Sequence, residues 1–236
     1  MSTNGHGRVA AITGGFGALG QVVAAAALKH EYRVAVLDHQ GKPPAGLAET
    51  LGPNALMLGG VDLADETAAK TAMENVTSHF GRLDALFNIA GGFRFIKIES
   101  SKAADIEFLF RINVQTAANA SRAALPALKL SPAGRIVNVG AAAALNASAG
   151  MGPYAASKSA VLRLTEAMAE ELKDTSITVN AVLPTTIDTA QNRADMPKAD
   201  FSRWVAPQDL AEVMLFLASE EATAVTGALI AVRGRV

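Results

Sequence analysis

The sequence predicts an α/β fold: a single doubly wound domain, 1–236, built on a seven-stranded parallel sheet with helices on both faces. Three observations predict it. Short apolar runs alternate with helix-like segments along the chain, the pattern of a parallel sheet covered on both sides. A glycine turn, Gly14-Gly15-Phe16-Gly17-Ala18-Leu19-Gly20, joins the first apolar run to an alanine-rich stretch. The 236 residues contain no internal repeat and no low-complexity linker, so they read as one unit with a large core.

The first strand is Val9-Ala10-Ala11-Ile12-Thr13, and Gln21 to Lys29 after the glycine turn reads as a helix. In that strand-turn-helix setting, Gly15-x-Gly17-x-x-Gly20 fits a dinucleotide fingerprint. One glycine makes the tight turn, one lets backbone N–H groups approach the pyrophosphate, and one allows close helix packing. The helix N-terminus adds partial positive charge for the phosphates. Arg33 to Leu37 is the second strand and ends in Asp38, close to the spacing of about 20 residues expected for an acidic group on the ribose hydroxyls. Its charge would repel a 2′-phosphate and no arginine adjoins it, which favours NAD(H). NADP(H) stays the alternative because Lys42 follows four residues on.

The third strand is Ala55 to Leu58, leading to Val61-Asp62-Leu63, and the fourth is Leu83 to Phe87, before Asn88. Arg135 to Val139, Ile177 to Leu183 and Ala228 to Val232 complete the seven. Asp62, Asn88, Ala141 and Pro184 then fall beyond carboxyl ends of strands, where open sheets of this kind hold ligands. Val161 to Leu172 carries apolar residues at helical spacing, and Pro207 opens a helix running to about Ala218. Lys42-Pro43-Pro44 and Ser131-Pro132-Ala133-Gly134 read as surface turns.

Tyr154-x-x-x-Lys158 lies on a later helix, where residues four apart share a face with about 6 Å of rise between them. Free tyrosine, with a pKa near 10, is a poor base at neutral pH. A neighbouring ammonium and a cationic nicotinamide ring favour phenolate, which brings the group toward the range acid/base catalysis needs.

Composition narrows the function classes. A net charge of −1, from 21 basic and 22 acidic residues in no long block, argues against nucleic acid or an anionic membrane as partner. The absence of cysteine excludes disulfides and thiolate metal sites and agrees with a cytoplasmic location. His6, His30, His39 and His79 are scattered without ligand spacing, so no metal site is expected. The few polar residues before the first strand leave no room for a signal peptide, and no apolar run approaches the roughly 18 residues of a membrane span.

Taken together, Thr13 to Gly20, Asp62-Leu63, Asn88-Ile89-Ala90-Gly91, Asn113, Tyr154-x-x-x-Lys158 and Leu183-Pro184 resemble the short-chain dehydrogenase/reductase family over almost the whole chain. The resemblance implies a Rossmann-like oxidoreductase acting on a small molecule as a homodimer or homotetramer. It implies Tyr154 as general acid/base, Lys158 as the group that binds the nicotinamide ribose and tunes the phenol, and Asn113 as support for a water-linked proton relay. Cofactor contacts are expected from Gly14, Gly15, Phe16, Gly17, Leu19, Asp38, Asp62, Leu63, Asn88, Ala90 and Gly91, with Pro184, Ile187 and Thr189 along the nicotinamide.

The family pattern is broken at Ala141, where most members carry a serine that holds the substrate oxygen; Ser148 and Asn146 are the nearest alternatives in sequence. Ala18 and Pro184-Thr185 also depart from it. These departures look like the dihydropteridine reductase branch, as do Ala90-Gly91-Gly92-Phe93 and the run Leu183-Pro184-Thr185-Thr186-Ile187-Asp188-Thr189 through Trp204. The implied reaction is NAD(H)-dependent reduction of a small carbonyl or a quinonoid dihydropteridine. A 3-oxoacyl or general ketone reductase, or an alcohol dehydrogenase, is the alternative within the family. A catalytically inactive NAD(H)-sensing module, suggested by Ala141 and opposed by the intact Tyr154/Lys158 pair, is the alternative from another class. Residues 185–205 are expected to form a substrate lid, or else Met196, Phe201 and Trp204 plug the core or a subunit interface.

Overall fold

The computed structural model describes residues 7–236, so His6 lies outside the described residues. The strands are β1 (Val9–Thr13), β2 (Arg33–Leu37), β3 (Leu56–Leu58), β4 (Ala85–Asn88), β5 (Arg135–Val139), β6 (Thr178–Pro184) and β7 (Leu229–Val232). All pair in parallel, in the order β3-β2-β1-β4-β5-β6-β7. The helices are α1 (Ala18–Lys29), α2 (Leu47–Leu51), α3 (Glu66–Phe80), α4 (Ala103–Phe110), α5 (Thr116–Leu128), α6 (Gly152–Glu171), α7 (Ala190–Asp195) and α8 (Pro207–Ala218). One wide π-helical turn, Arg111–Gln115, joins α4 to α5. Among the described residues no helix is long and apolar enough to cross a membrane.

Side-chain alternation along each strand sorts the core into two layers. In β1, Ala10 and Ile12 pack with Val23 and Ala27 of α1 and Leu210 and Met214 of α8. Val9 and Ala11 pack on the other face with Met73 and Val76 of α3 and Ala120 and Ala124 of α5. All five residues of β1 are buried, so this strand reads as a continuous apolar run. Each fully buried aliphatic chain contributes about 1.5–3 kcal/mol.

The chain runs outward from β1 to β3 and then returns to β4 on the other side of β1, which opens a crevice beyond the carboxyl ends of β1 and β4. Thr13 closes its floor: its Oγ1 accepts hydrogen bonds from the N–H groups of Ile89 and Ala90, both at 3.0 Å. The opposite end of the sheet is tied by two buried arginines. Arg8 donates to the carbonyls of Ala218 and Ala133, and Arg135 to those of Ser219 and Gly134. Beside them, Asp84 is fully buried and accepts from Arg82, Ser131 Oγ and the Val9 N–H.

Candidate active site

The glycine turn shapes a cleft of about 740 Å³ at the crevice, lined by Gly14, Gly17, Leu19, Asp38, Asp62, Leu63, Ala90 and Gly91 among others. A Cβ on Gly14, which has φ +65°, would stand 2.9 Å from Ala90 N, and one on Gly20 would stand 2.2 Å from Gly14 O. Only glycine therefore lets β1, α1 and the β4 connection approach so closely. No side chain caps the first turn of α1, so its N–H groups remain available at the cleft wall. Glycine cradle, uncapped helix N-terminus and acidic wall together fit a dinucleotide.

Two expected cofactor residues of the turn work behind the cleft instead of lining it. A Cβ at Gly15 would come within 2.6 Å of Val36, so this glycine seats the turn on β2. Phe16 is 2% exposed, and its side chain belongs to the core with α1 and α8. The Phe16 N–H donates to Asp38 Oδ2 at 3.0 Å, and the Gln40 N–H donates to Oδ1 at 2.9 Å. Asp38 thus lines the cleft while holding two loops together. Asp62 accepts from the Ala64 N–H and pairs with Arg111 at 2.5 Å, an arm of the cleft that sequence reasoning did not single out. Its signal was Arg111 standing two residues from Asn113 on the same segment.

Asn88 does not line the cleft. It is buried, and its amide donates to Ser121 Oγ at 2.9 Å and Asn138 Oδ1 at 2.8 Å, linking β4 to β5 and α5. Pro184, Ile187 and Thr189 likewise stand outside the lining residues. Pro184 ends β6 beside Val232, Ile187 bridges to Val205, and Thr189 caps α7 by accepting from the Asn192 N–H.

The cleft meets the chemistry at Gly91, a lining residue. A Cβ there would lie 2.5 Å from Asn113 Oδ1 and 3.5 Å from Lys158 Nζ. Asn113 sits on the π-helical turn and grips Gly92 from both sides: Oδ1 accepts from its N–H at 2.9 Å, and Nδ2 donates to its carbonyl at 3.1 Å. Nδ2 also donates to Ser157 Oγ, which in turn donates to the Tyr154 carbonyl. The side chain of Asn113 is thus a clamp between the β4 connection and α6.

Tyr154 and Lys158 share one face of α6, which begins at Gly152 with Pro153 in its first turn. Lys158 is 6% exposed and donates to the Val139 carbonyl at 2.7 Å; burial pushes its pKa down to about 8. Burial also pushes the Tyr154 phenol up to about 12. Burial is what shifts the phenol here, and the Lys158 ammonium is itself buried and turned to Val139 O. The downward pull expected of an ammonium together with a cationic nicotinamide ring belongs to the coenzyme-bound site.

Ala141 is buried at the end of β5, whereas Asn146 and Ser148 lie exposed in the following loop. Residues 185–205 fold on themselves: the Phe201 and Trp204 rings meet at a tilt of 49° with centroids 4.8 Å apart, Arg193 lies over the Phe201 ring, and the Asp188 and Val205 N–H groups close the base of the segment. Among the described residues no cluster of His, Asp or Glu could hold a metal ion.

The profile of a family described as "short chain dehydrogenase" matches residues 8–200. The chain is similar to 2-(S)-hydroxypropyl-CoM dehydrogenase 3 of Xanthobacter autotrophicus, 34% identical over 253 residues that cover 99% of this chain and 98% of that protein. It is similar to 3-oxoacyl-acyl-carrier-protein reductase FabG of Thermotoga maritima, 32% identical over 84% of this chain and 82% of that protein. Among solved structures, a doubly substituted short-chain dehydrogenase/reductase of Serratia marcescens superposes with a TM-score of 0.87 at 28% identity, covering 98% of both chains.

Proposed function

The chain belongs to the short-chain dehydrogenase/reductase family, a family of oxidoreductases, and from that premise we propose that it transfers hydride between NAD(H) and a small carbonyl or pterin-like substrate. The observation that carries this reading is the meeting of the glycine cleft with Asn113 and Lys158 at Gly91. A bound nicotinamide dinucleotide supplies the hydride. Gly14, Gly17, Leu19 and the first turn of α1 would hold its phosphates, with Asp38, Asp62, Leu63, Ala90 and Gly91 along its length. The Asp38 carboxylate disfavours a 2′-phosphate by repulsion, which supports NAD(H).

With its pKa near 12, Tyr154 holds its proton at neutral pH and is suited to donate it to the substrate oxygen or nitrogen as the C=O or C=N bond is reduced. Lys158 carries its charge at pH 7 on the same helix face, where it favours the phenolate left behind. Asn113 keeps Gly91 and Gly92 in place between cleft and helix. The missing hydroxyl at Ala141 supports a substrate that needs little anchoring of its oxygen, such as a conjugated quinonoid pterin; the names of the similar proteins support a simpler carbonyl or alcohol. A homodimer or homotetramer is the assembly the resemblance implies, and the cytoplasm is the compartment a cysteine-free chain fits. Residues 185–205, which follow β6 at the carboxyl edge of the sheet, are the segment proposed to act as a substrate lid.

NADH oxidation measured against quinonoid dihydropterins, ketones and quinones tests the reading. Tyr154→Phe is expected to reduce turnover by about 10²–10⁴-fold while leaving NADH affinity intact. Unchanged turnover rejects Tyr154 as proton donor. NADH binding with no turnover on any substrate favours the sensing module that Ala141 suggests.

A further inference from the structure

Beside Tyr154 the connection from β4 to α4 presents large apolar side chains to solvent: Phe93 is 53% exposed and Phe95 63%. Exposed aromatic rings grouped at a site mark a binding surface more often than chance placement does. The Phe93 ring meets the Tyr154 ring edge to face, with centroids 4.9 Å apart and planes at 88°. Its backbone is fixed on both sides. Upstream, the carboxamide of Asn113 holds Gly92 by its N–H and its carbonyl. Downstream, the Ile96 N–H donates to the Gly150 carbonyl at 2.8 Å, and the Phe95 ring lies over Gly150 so closely that a Cβ there would stand 2.2 Å from it.

The cations of the same segment are engaged elsewhere. Arg94 pairs with Asp105 and stacks over Phe108, and Lys97 pairs with Glu99. No hydroxyl stands at position 141 to hold a substrate oxygen. Beyond the Tyr154 hydroxyl, orientation therefore comes from shape and ring contact, not from the cations of this segment or a hydroxyl at position 141.

We propose that Phe93 is a specificity-determining residue which, with the Tyr154 ring, forms an aromatic corner selecting flat, uncharged carbonyl substrates over bulky or anionic ones. This rests on the reading of Tyr154 as the proton donor of the site. Because half of the Phe93 side chain faces solvent, substituting it leaves the core untouched.

The probes are acetophenone and cyclohexyl methyl ketone, equal in carbon count and different in planarity. Each is titrated calorimetrically into the protein saturated with NAD⁺, a complex that cannot reduce either ketone. Wild type is expected to bind acetophenone about fivefold more tightly, the scale of one edge-to-face or stacked aromatic pair. In Phe93→Ala and in Phe93→Leu, which keeps apolar bulk without a ring, the ratio is expected to fall to about one. NAD⁺ affinity is expected to stay within about twofold and reports that the fold is intact. Equal affinities in wild type, or a preference that survives in either variant, overturns the proposal. Since the readout is binding, a preference in a protein that turns over no substrate rejects the oxidoreductase reading alone.

Discussion

Lys158→Met is expected to make the protein more stable and inactive at once. Lys158 is 6% exposed and burial lowers its pKa from 10.5 to about 8. Below pH 8 both folded and unfolded chains carry the proton, and the folded chain bears the full cost of burying it. Between about 8 and 10.5 the folded amine is neutral while the unfolded one still binds a proton, so stability rises with pH; above 10.5 the penalty is gone. The difference between 10.5 and about 8 corresponds to about 3 kcal/mol. Methionine keeps a long unbranched chain but leaves the Val139 carbonyl without its 2.7 Å donor, which costs about 1 kcal/mol. The variant is therefore expected to exceed wild type by about 2 kcal/mol at pH 7. Urea denaturation without coenzyme at pH 7 and pH 10 measures it, and the gap should close by about pH 10 as wild type sheds its buried charge. The Tyr154 phenol, held near 12, loses its proton above this window in the folded state, and it is common to both proteins. A variant less stable than wild type at pH 7, or a difference that does not change with pH, refutes the reasoning.

Two further outcomes follow from the same contacts. Asp38→Ala removes the acceptor of the Phe16 and Gln40 N–H groups as well as the proposed ribose contact, so NADH affinity should fall by about tenfold or more while NADPH becomes relatively favoured; paired fluorescence titrations with the two coenzymes check it, and an unchanged ratio counts against the ribose role. Arg82→Ala leaves the fully buried Asp84 carboxylate without its cationic partner, with only Ser131 and the Val9 N–H still donating, and should cost about 3 kcal/mol, read as a lower Tm. Burial by itself would raise the Asp84 pKa, but hydrogen bonds from Arg82, Ser131 and the Val9 N–H hold it below the ordinary value. Its contribution is thus present at neutral pH and lost as pH falls through that low value. In Arg82→Ala the loss should begin at higher pH, and an unshifted acid limb would remove Arg82 from the account.

Strands β1, β2 and β5 were legible to the residue, because each is a short apolar run bounded by turn chemistry. The start of α6 was legible only in part: Tyr154 and Lys158 were read as sharing a helix face, but apolar spacing appears only from Val161, whereas the helix begins at Gly152, since the buried face of its first turns includes Ser157 and Lys158. The site shows the same split. Glycines needed for close approach could be read from spacing alone, but the inward turn of Asn88, the core placement of Phe16 and the edge-to-face contact of Phe93 with Tyr154 depend on side-chain directions that no local pattern encodes. The rise in the Tyr154 pKa is of this kind as well, being set by what surrounds the phenol and not by the residue four positions away.

The wide turn at Arg111–Gln115 has a consequence for how this segment tolerates change. It accommodates one residue more than a regular helix would, so the residues before and after it are out of phase with a single straight helix by about 100°. Shortening the segment by one residue would restore a regular helix and rotate Asn113 off Gly92, or else swing Phe108 and Arg111 away from the cleft they line. Length here is as much a determinant of the site as identity is, and a deletion harmless in a surface loop would dismantle it without altering a single functional side chain.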